Sequence, residues 1–228
     1  IITDSNTKID GRTQTAYSGN TNTGTVGSGG STVGVSAITL PDYERPEIQV
    51  HRDQGDVIRT QGDLFELRNI SVYADNNASI RIDGGSATLI SNLLGVNAAG
   101  ISSGNVDYGV EITSGSSRIE GNYIAQNTDE GIYITGGIST LIQDNHITDN
   151  GIGGACFDNI GITSGTGIVI RRNLIDRASS LGIDDDTSTG GIVISENTIT
   201  NSGQDGGNCG GSTPENAGIK LDASNSSI

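Results

Sequence analysis

The sequence predicts an all-β solenoid, a parallel β-helix of about seven coils, and three observations carry that expectation. Glycine fills 35 of 228 positions, while Met and Trp are absent and Phe occurs twice. An asparagine returns at one slot of a repeating frame. Between successive asparagines runs a short segment in which apolar residues alternate with others, which is the period-2 geometry of strands.

Composition sets the limits first. Only 32% of residues are apolar, and a helical bundle needs long side chains at 3.6-residue spacing, with each interior glycine costing about 1 kcal/mol. Twelve basic against 27 acidic residues give a formal charge of −15, which with low hydrophobicity would mark a disordered chain were it not for the repeats. That charge argues against a nucleic-acid partner, whose phosphates need Lys and Arg, and against docking on anionic lipid. No apolar run approaches the roughly 20 residues of a membrane-spanning helix, so no membrane insertion is expected.

The frame is apolar, two residues, Asn, one residue, apolar. It reads Leu89-Ile-Ser-Asn92-Leu-Leu94, Ile119-Glu-Gly-Asn122-Tyr-Ile124, Ile142-Gln-Asp-Asn145-His-Ile147, Ile170-Arg-Arg-Asn173-Leu-Ile175 and Ile194-Ser-Glu-Asn197-Thr-Ile199. An earlier copy from Phe65 to Val72 puts Ile70 in the Asn slot and marks the start of the ladder. The alternating segments between are Ile80-Arg-Ile82, Val110-Glu-Ile112, Ile132-Tyr-Ile134, Ile160-Gly-Ile162, Leu181-Gly-Ile183 and Ile219-Lys-Leu221. The stretch from one of these to the next Asn keeps nearly the same length throughout, whereas the stretch from an Asn forward varies more than twofold. One side of the coil is therefore held nearly constant, and insertions gather on the other edge. Such coils stack at about 4.8 Å, with Ile, Leu and Val inward. Stacked Asn side chains satisfy one another and the turn backbone. A β-sandwich offers no reason for Asn at one recurrent slot.

The whole chain reads as one domain. Residues 1–47 form an irregular N-terminal coil, and residues 48–228 form the regular coils. Within the first part, residues 19–40 are rich in Gly, Ser, Thr and Asn. They read either as a flexible linker or as an ordered excursion in which Val26, Val33, Val35 and Ile38 pack against the end of the β-helix, and the second is favoured. The start at Ile1 without Met, and the stop at Ile228 where another strand would begin, point to a fragment of a larger protein or a subunit of an assembly. The expected partners are accordingly neighbouring domains of the same chain or further copies.

Repeated Asn-x-Ile with Gly-Ile-x-Ile resembles the right-handed parallel β-helix repeats of the pectate-lyase-like superfamily, over about residues 64–228. The opening Lys8-Ile-Asp-Gly11-Arg-Thr-Gln14-Thr-Ala-Tyr17-Ser-Gly19 resembles the segment that opens β-helix modules of large bacterial secreted and surface proteins. The resemblance implies a right-handed helix and an extracellular or cell-surface location. It also implies an Asn turn joining the second and third strands of each coil. The Gly-Ile-x-Ile segment is then the first strand, and its outward face is where a cleft would form. That face is expected to show Arg81, Glu111, Tyr133, Gly161, Gly182 and Lys220.

The same resemblance supplies a test for catalysis. Asn127-Thr-Asp129 and Asp184-Asp185-Asp186 imitate the acidic motifs of polygalacturonase-like hydrolases. The separation of Asp129 from Asp184 skips a coil, and the accompanying Gly-His-Gly and Arg-Ile-Lys are missing. A lyase would need Ca²⁺ and a nearby basic residue, but Arg81 and Lys220 stand at opposite ends of the row. No catalytic residue is therefore expected. Were the chain an enzyme, Glu111, Asp129, Asp184 and Asp186 would be the candidates. Of the two histidines, His51 and His146, the second is expected as a solvated residue on the outer face. Asp184, Asp185 and Asp186 are the candidate metal ligands. No cofactor is required, and Ca²⁺ is the candidate ion. No stacked aromatic pair for sugar binding is evident among the tyrosines.

The function expected is a non-enzymatic structural or adhesive segment of a secreted or cell-surface bacterial protein, with end-to-end stacking into a filament as a hypothesis. Extracellular polysaccharide is a candidate ligand, and a polysaccharide lyase or glycoside hydrolase is the alternative. Cys156 follows Asn145, and Cys209 follows Asn197, at nearly the same distance along the chain. They occupy equivalent loops on either side of a coil whose own loop is the shortest. Two long loops closing over a short one lead to an expected Cys156–Cys209 disulfide.

Overall fold

Regular strands pair in parallel with their equivalents in the coils before and after. The computed structural model describes residues 1–102, 106–153, 156–186, 190–204, 217–222 and 227–228. First strands are Ile58–Thr60, Ile132–Ile134, Ile160–Ile162, Ile183–Asp185 and Ile219–Leu221. Second strands are Lys8–Asp10, Phe65–Arg68, Thr140–Gln143, Ile168–Arg171 and Ile192–Ser195. In two coils the first and second strands fuse, as Ala78–Ile90 and Tyr108–Glu120, and this joins both kinds into one 12-stranded sheet. Third strands form a separate 7-stranded sheet with one strand per coil, from Gln49–Arg52 to Thr198–Thr200.

Alternation buries one row from each strand. Ile80, Val110, Ile132, Ile160 and Ile183 stack in register along the first strands, and Leu67, Leu89, Ile119, Ile142, Ile170 and Ile194 along the second. Val72, Leu94, Ile124, Ile147 and Ile175 complete the core from the third.

The asparagines form a continuous ladder. The Nδ2 of each donates to the Oδ1 of the next, from Asn92 through Asn122, Asn145 and Asn173 to Asn197, at 2.9–3.1 Å. The same Oδ1 atoms accept the backbone N–H of the preceding Asn. The residue before each slot takes a left-handed conformation, with φ between 54° and 62° at Asn69, Ser91, Gly121, Asp144, Arg172 and Glu196. For a non-glycine residue that costs about 1–2 kcal/mol, which the paired amides offset. Ile70 begins the ladder by donating its N–H to Asn92 Oδ1.

The first coil departs from this plan at the Asn turn. After Lys8–Asp10 comes a helix, Arg12–Ser18, and then residues 24–46 run out along the third-strand sheet as a strap before the coil resumes at Gln49. The strap is two short antiparallel pairs, Thr25–Val26 with Tyr43–Glu44 and Thr32–Val33 with Ile38–Thr39. Val33, Leu40 and Tyr43 are buried beneath it. Its tip reaches the last regular rung, where Gly34 N–H donates to Thr198 Oγ1 and Ser36 binds the Glu196 carboxylate. Six steps of about 4.8 Å make that a span of roughly 29 Å. Val35 is 96% exposed at the tip, so it does not pack as the sequence led one to expect.

His146 also differs from expectation. It does take an outward slot, but the strap covers it and leaves it 2% exposed. Its Nδ1 accepts the N–H of Ser28, and its ring lies among Tyr43 and Tyr123.

Candidate functional site

Register along the first strands defines the outward row as Arg59, Arg81, Glu111, Tyr133, Gly161, Asp184 and Lys220. Asp184, not Gly182, fills the sixth position. Apolar alternation is unchanged by a shift of two residues, so Leu181-Gly-Ile183 and Ile183-Asp-Asp185 fit the same pattern. Cross-strand pairing of Ile183 with Ile160 decides between them.

At one end the row is a closed ion network. Arg81 contacts Asp83 at 2.7 Å and Glu111 at 2.9 Å, and Arg59 also contacts Asp83. Burial alone would raise the Asp83 carboxyl, but hydrogen bonds from Arg81, Thr113 and Arg59 outweigh it and hold the group below its ordinary value. Burial raises Glu111 against the pull of Arg81. At the other end Lys220 Nζ lies 3.4 Å from Asp184, 2.8 Å from Asp186 and 3.5 Å from Asp222.

The centre of the row is aromatic and acidic. Tyr108, the first residue of its fused strand, stacks on Tyr133 of the next coil with centroids 5.0 Å apart and planes at 18°. This is the stacked pair that the sequence did not reveal. Beside it Glu130 folds over Gly161, where an added Cβ would lie 3.1 Å from Glu130 Cγ. Glu130 is 9% exposed. Burial pushes its carboxyl up to about 7, its own backbone N–H opposes the shift, and repulsion from Asp129 and Asp184 adds to it. Asp129 is raised by burial and by Asp107.

The predicted residues are therefore only partly brought together. Glu111 and Asp184 share the row but stand three rungs apart, about 14 Å at 4.8 Å per rung. The carboxyl pairs that cleave glycosides sit about 5–9.5 Å apart. Asp129 flanks Glu130, and Asp186 is tied to Lys220. Within the acidic triplet, Asp185 is wholly buried at an inward register position while Asp184 stands on the outward row. Cys156 lies in an exposed turn at φ 83°, and Cys209 falls outside the described residues. Sequence reasoning did not assign Glu130 to this row. Its only signal is a position two residues before an inward Ile, the same slot that Tyr108 fills. A cavity of about 340 Å³ lies elsewhere, between the helix Arg12–Ser18 and the strap near Arg45, and includes none of these residues.

The sequence profile described as "Right handed beta helix region" matches residues 55–228. The chain belongs to the right-handed β-helix family. Among curated proteins and solved structures there is no match. Membership fixes the hand of the β-helix, while the parallel register aligns Arg81, Glu111 and Tyr133 on one face.

Proposed function

We propose that this β-helix is a non-enzymatic adhesive scaffold, a rigid segment of an extracellular or cell-surface protein whose first-strand face holds polysaccharide. The Tyr108–Tyr133 stack, set in a row whose cations are already paired, is the observation that carries the proposal. A base that takes a proton from a sugar must be free to do so, yet Arg81 is clamped by Asp83 and Glu111 and Lys220 by three aspartates. Tyrosine offers an apolar face to sugar C–H groups and a polar edge to hydroxyls, and the flanking carboxylates accept further hydroxyl protons. A charge of −15 favours neutral over acidic glycans. Adhesion of this kind needs no cofactor.

Binding of neutral extracellular polysaccharides, followed by glycan array and calorimetry, tests the proposal. Tyr133→Ala is expected to weaken binding at least tenfold, and Tyr17→Ala, on the remote helix, to leave it intact. Failure of the native chain to bind any glycan would remove the adhesive role. Self-association through the strand edges of the outermost coils belongs to the same proposal, and electron micrographs showing only short single rods at high concentration would count against it. A Cys156–Cys209 disulfide pinning the variable loops is proposed with it. Support comes from the absence of any free cysteine among the described residues, and intact mass with thiol titration decides it.

Polysaccharide cleavage is the alternative, favoured by one observation: Glu130 holds its proton near neutrality beside Asp184. Release of reducing or unsaturated ends that is lost in Glu130→Gln would replace adhesion with catalysis.

A further inference from the structure

The first coils carry a second cluster, on the third-strand face. His51 and Tyr73 are register partners, and their rings stack at 4.7 Å and 28°, which fixes the imidazole in place. Asp53 and Asp75 follow directly on the two strands, Gln49–Arg52 and Ser71–Ala74. Asp75 N–H donates to Arg52 O, and a carboxylate oxygen of each aspartate lies within 4.8 Å of the other. Two carboxylates brought this close repel one another, and a positive charge between them, on His51 or on a bound ion, relieves the repulsion. Among the described residues neither carboxylate has a Lys or Arg partner, because their ion contacts are to His51 alone. The neighbouring Arg52 is turned away and donates to Asp56 O at 2.7 Å.

His51 Nε2 lies 2.9 Å from Asp75 Oδ1, and His51 Nδ1 lies 3.4 Å from Asp53 Oδ1. One donor atom from each of the three residues lies within 4.8 Å of the other two. We propose that His51, Asp53 and Asp75 bind a divalent transition-metal ion of the Zn²⁺ type. One imidazole nitrogen with two carboxylate oxygens suits zinc, whereas Ca²⁺ and Mg²⁺ select oxygen alone. Three protein ligands leave a fourth tetrahedral position to water. Bonds of about 2.0–2.2 Å put ligand atoms about 3.3 Å apart, so the cluster must draw in. The Asp53 side chain, 85% exposed, is free to make that movement. The site is separate from the first-strand face and from the Asp184 triplet.

Calorimetry of ZnCl₂ into the full chain is the test, with MgCl₂ and CaCl₂ in parallel. One equivalent of Zn²⁺ is expected, weakened at least tenfold in His51→Gln and in Asp75→Asn and unchanged in Asp184→Asn. These side chains are exposed enough for the variants to fold. Loading with Co²⁺ is expected to give a visible absorption band that His51→Gln abolishes. No heat with Zn²⁺, equal binding of Mg²⁺, or Zn²⁺ binding that survives in His51→Gln would overturn the site.

Discussion

His146 Nδ1 accepts the backbone N–H of Ser28 at 3.0 Å, joining positions 118 residues apart and sealing an imidazole under the strap. An accepting nitrogen carries no proton. Burial lowers the group to about 4, a shift that Asp176 and Asp149 oppose and Arg177 reinforces.

That shift gives a pH dependence with a definite sign. The unfolded chain protonates His146 near its ordinary value of 6.5 while the folded chain resists until about 4. The contribution is therefore fully present above 6.5 and is lost as pH falls through 4, for a total of roughly 3 kcal/mol. Urea melts between pH 7 and pH 4 are expected to show this loss. His146→Asn removes that part of the slope; an unchanged slope in the variant would mean that the imidazole is not the titrating group.

Glu130 works in the opposite direction. Its folded value of about 7 lies above the ordinary 4.5, so its contribution is present below 4.5 and is lost as pH rises through 7. Glu130→Gln is expected to stabilise the protein at pH 8 by up to roughly 3 kcal/mol and to change little at pH 4.5. Thermal melts at the two pH values check it.

Ladder substitutions are expected to grade with position. Asn145→Ala removes an acceptor for Asn122 N–H and Nδ2 and a donor to Ile119 O and Asn173 Oδ1, all of them buried. A loss of about 3–5 kcal/mol follows. Asn197→Ala removes fewer bonds at a half-buried site and is expected to cost about half as much, as equilibrium unfolding measures.

Strap seating depends on two glycines. A Cβ at Gly27 would lie 2.6 Å from His146 Nδ1 and from Tyr123 Cδ2, and one at Gly34 would lie 2.6 Å from Glu196 O. Gly27→Ala is expected to lift the strap, seen as faster hydrogen exchange at residues 24–46 with the ladder amides still protected. Gly19→Ala shares the positive φ but meets open space, and is the control.

The acidic triplet is expected to give no thermal shift with millimolar Ca²⁺, because alternation sends Asp185 inward while Asp184 faces out. A clear rise in melting temperature that Asp186→Asn cancels would reverse that expectation.

Coils, core rows and the Asn slot were legible because each repeats, and a repeated pattern fixes its own register. Legibility failed where one event stands outside the repeat. His146 occupies an outward slot, as its place after Asn145 indicates, but only the strap decides that an outward side chain is buried. The strap itself has too few apolar residues to announce where it docks, since its hold comes from backbone donors such as Ser28 and Gly34. The places of Glu130 and Tyr108 beside the row were not legible because they sit just ahead of the alternating segment, where no periodicity marks them.

The strap also orders events in time. Coils contact mainly their neighbours, so the solenoid can grow rung by rung, with its earlier strands able to pair as they leave the ribosome. Ser28, Gly34 and Ser36 must wait for partners 118, 164 and 160 residues downstream, after a large loop has closed. Seating the strap is thus expected to be the closing step of folding, made on a finished scaffold. Bonds formed after the transition state slow escape from the native state without hastening entry, so this segment, synthesised before the coils it clamps, acts as the brake on unfolding.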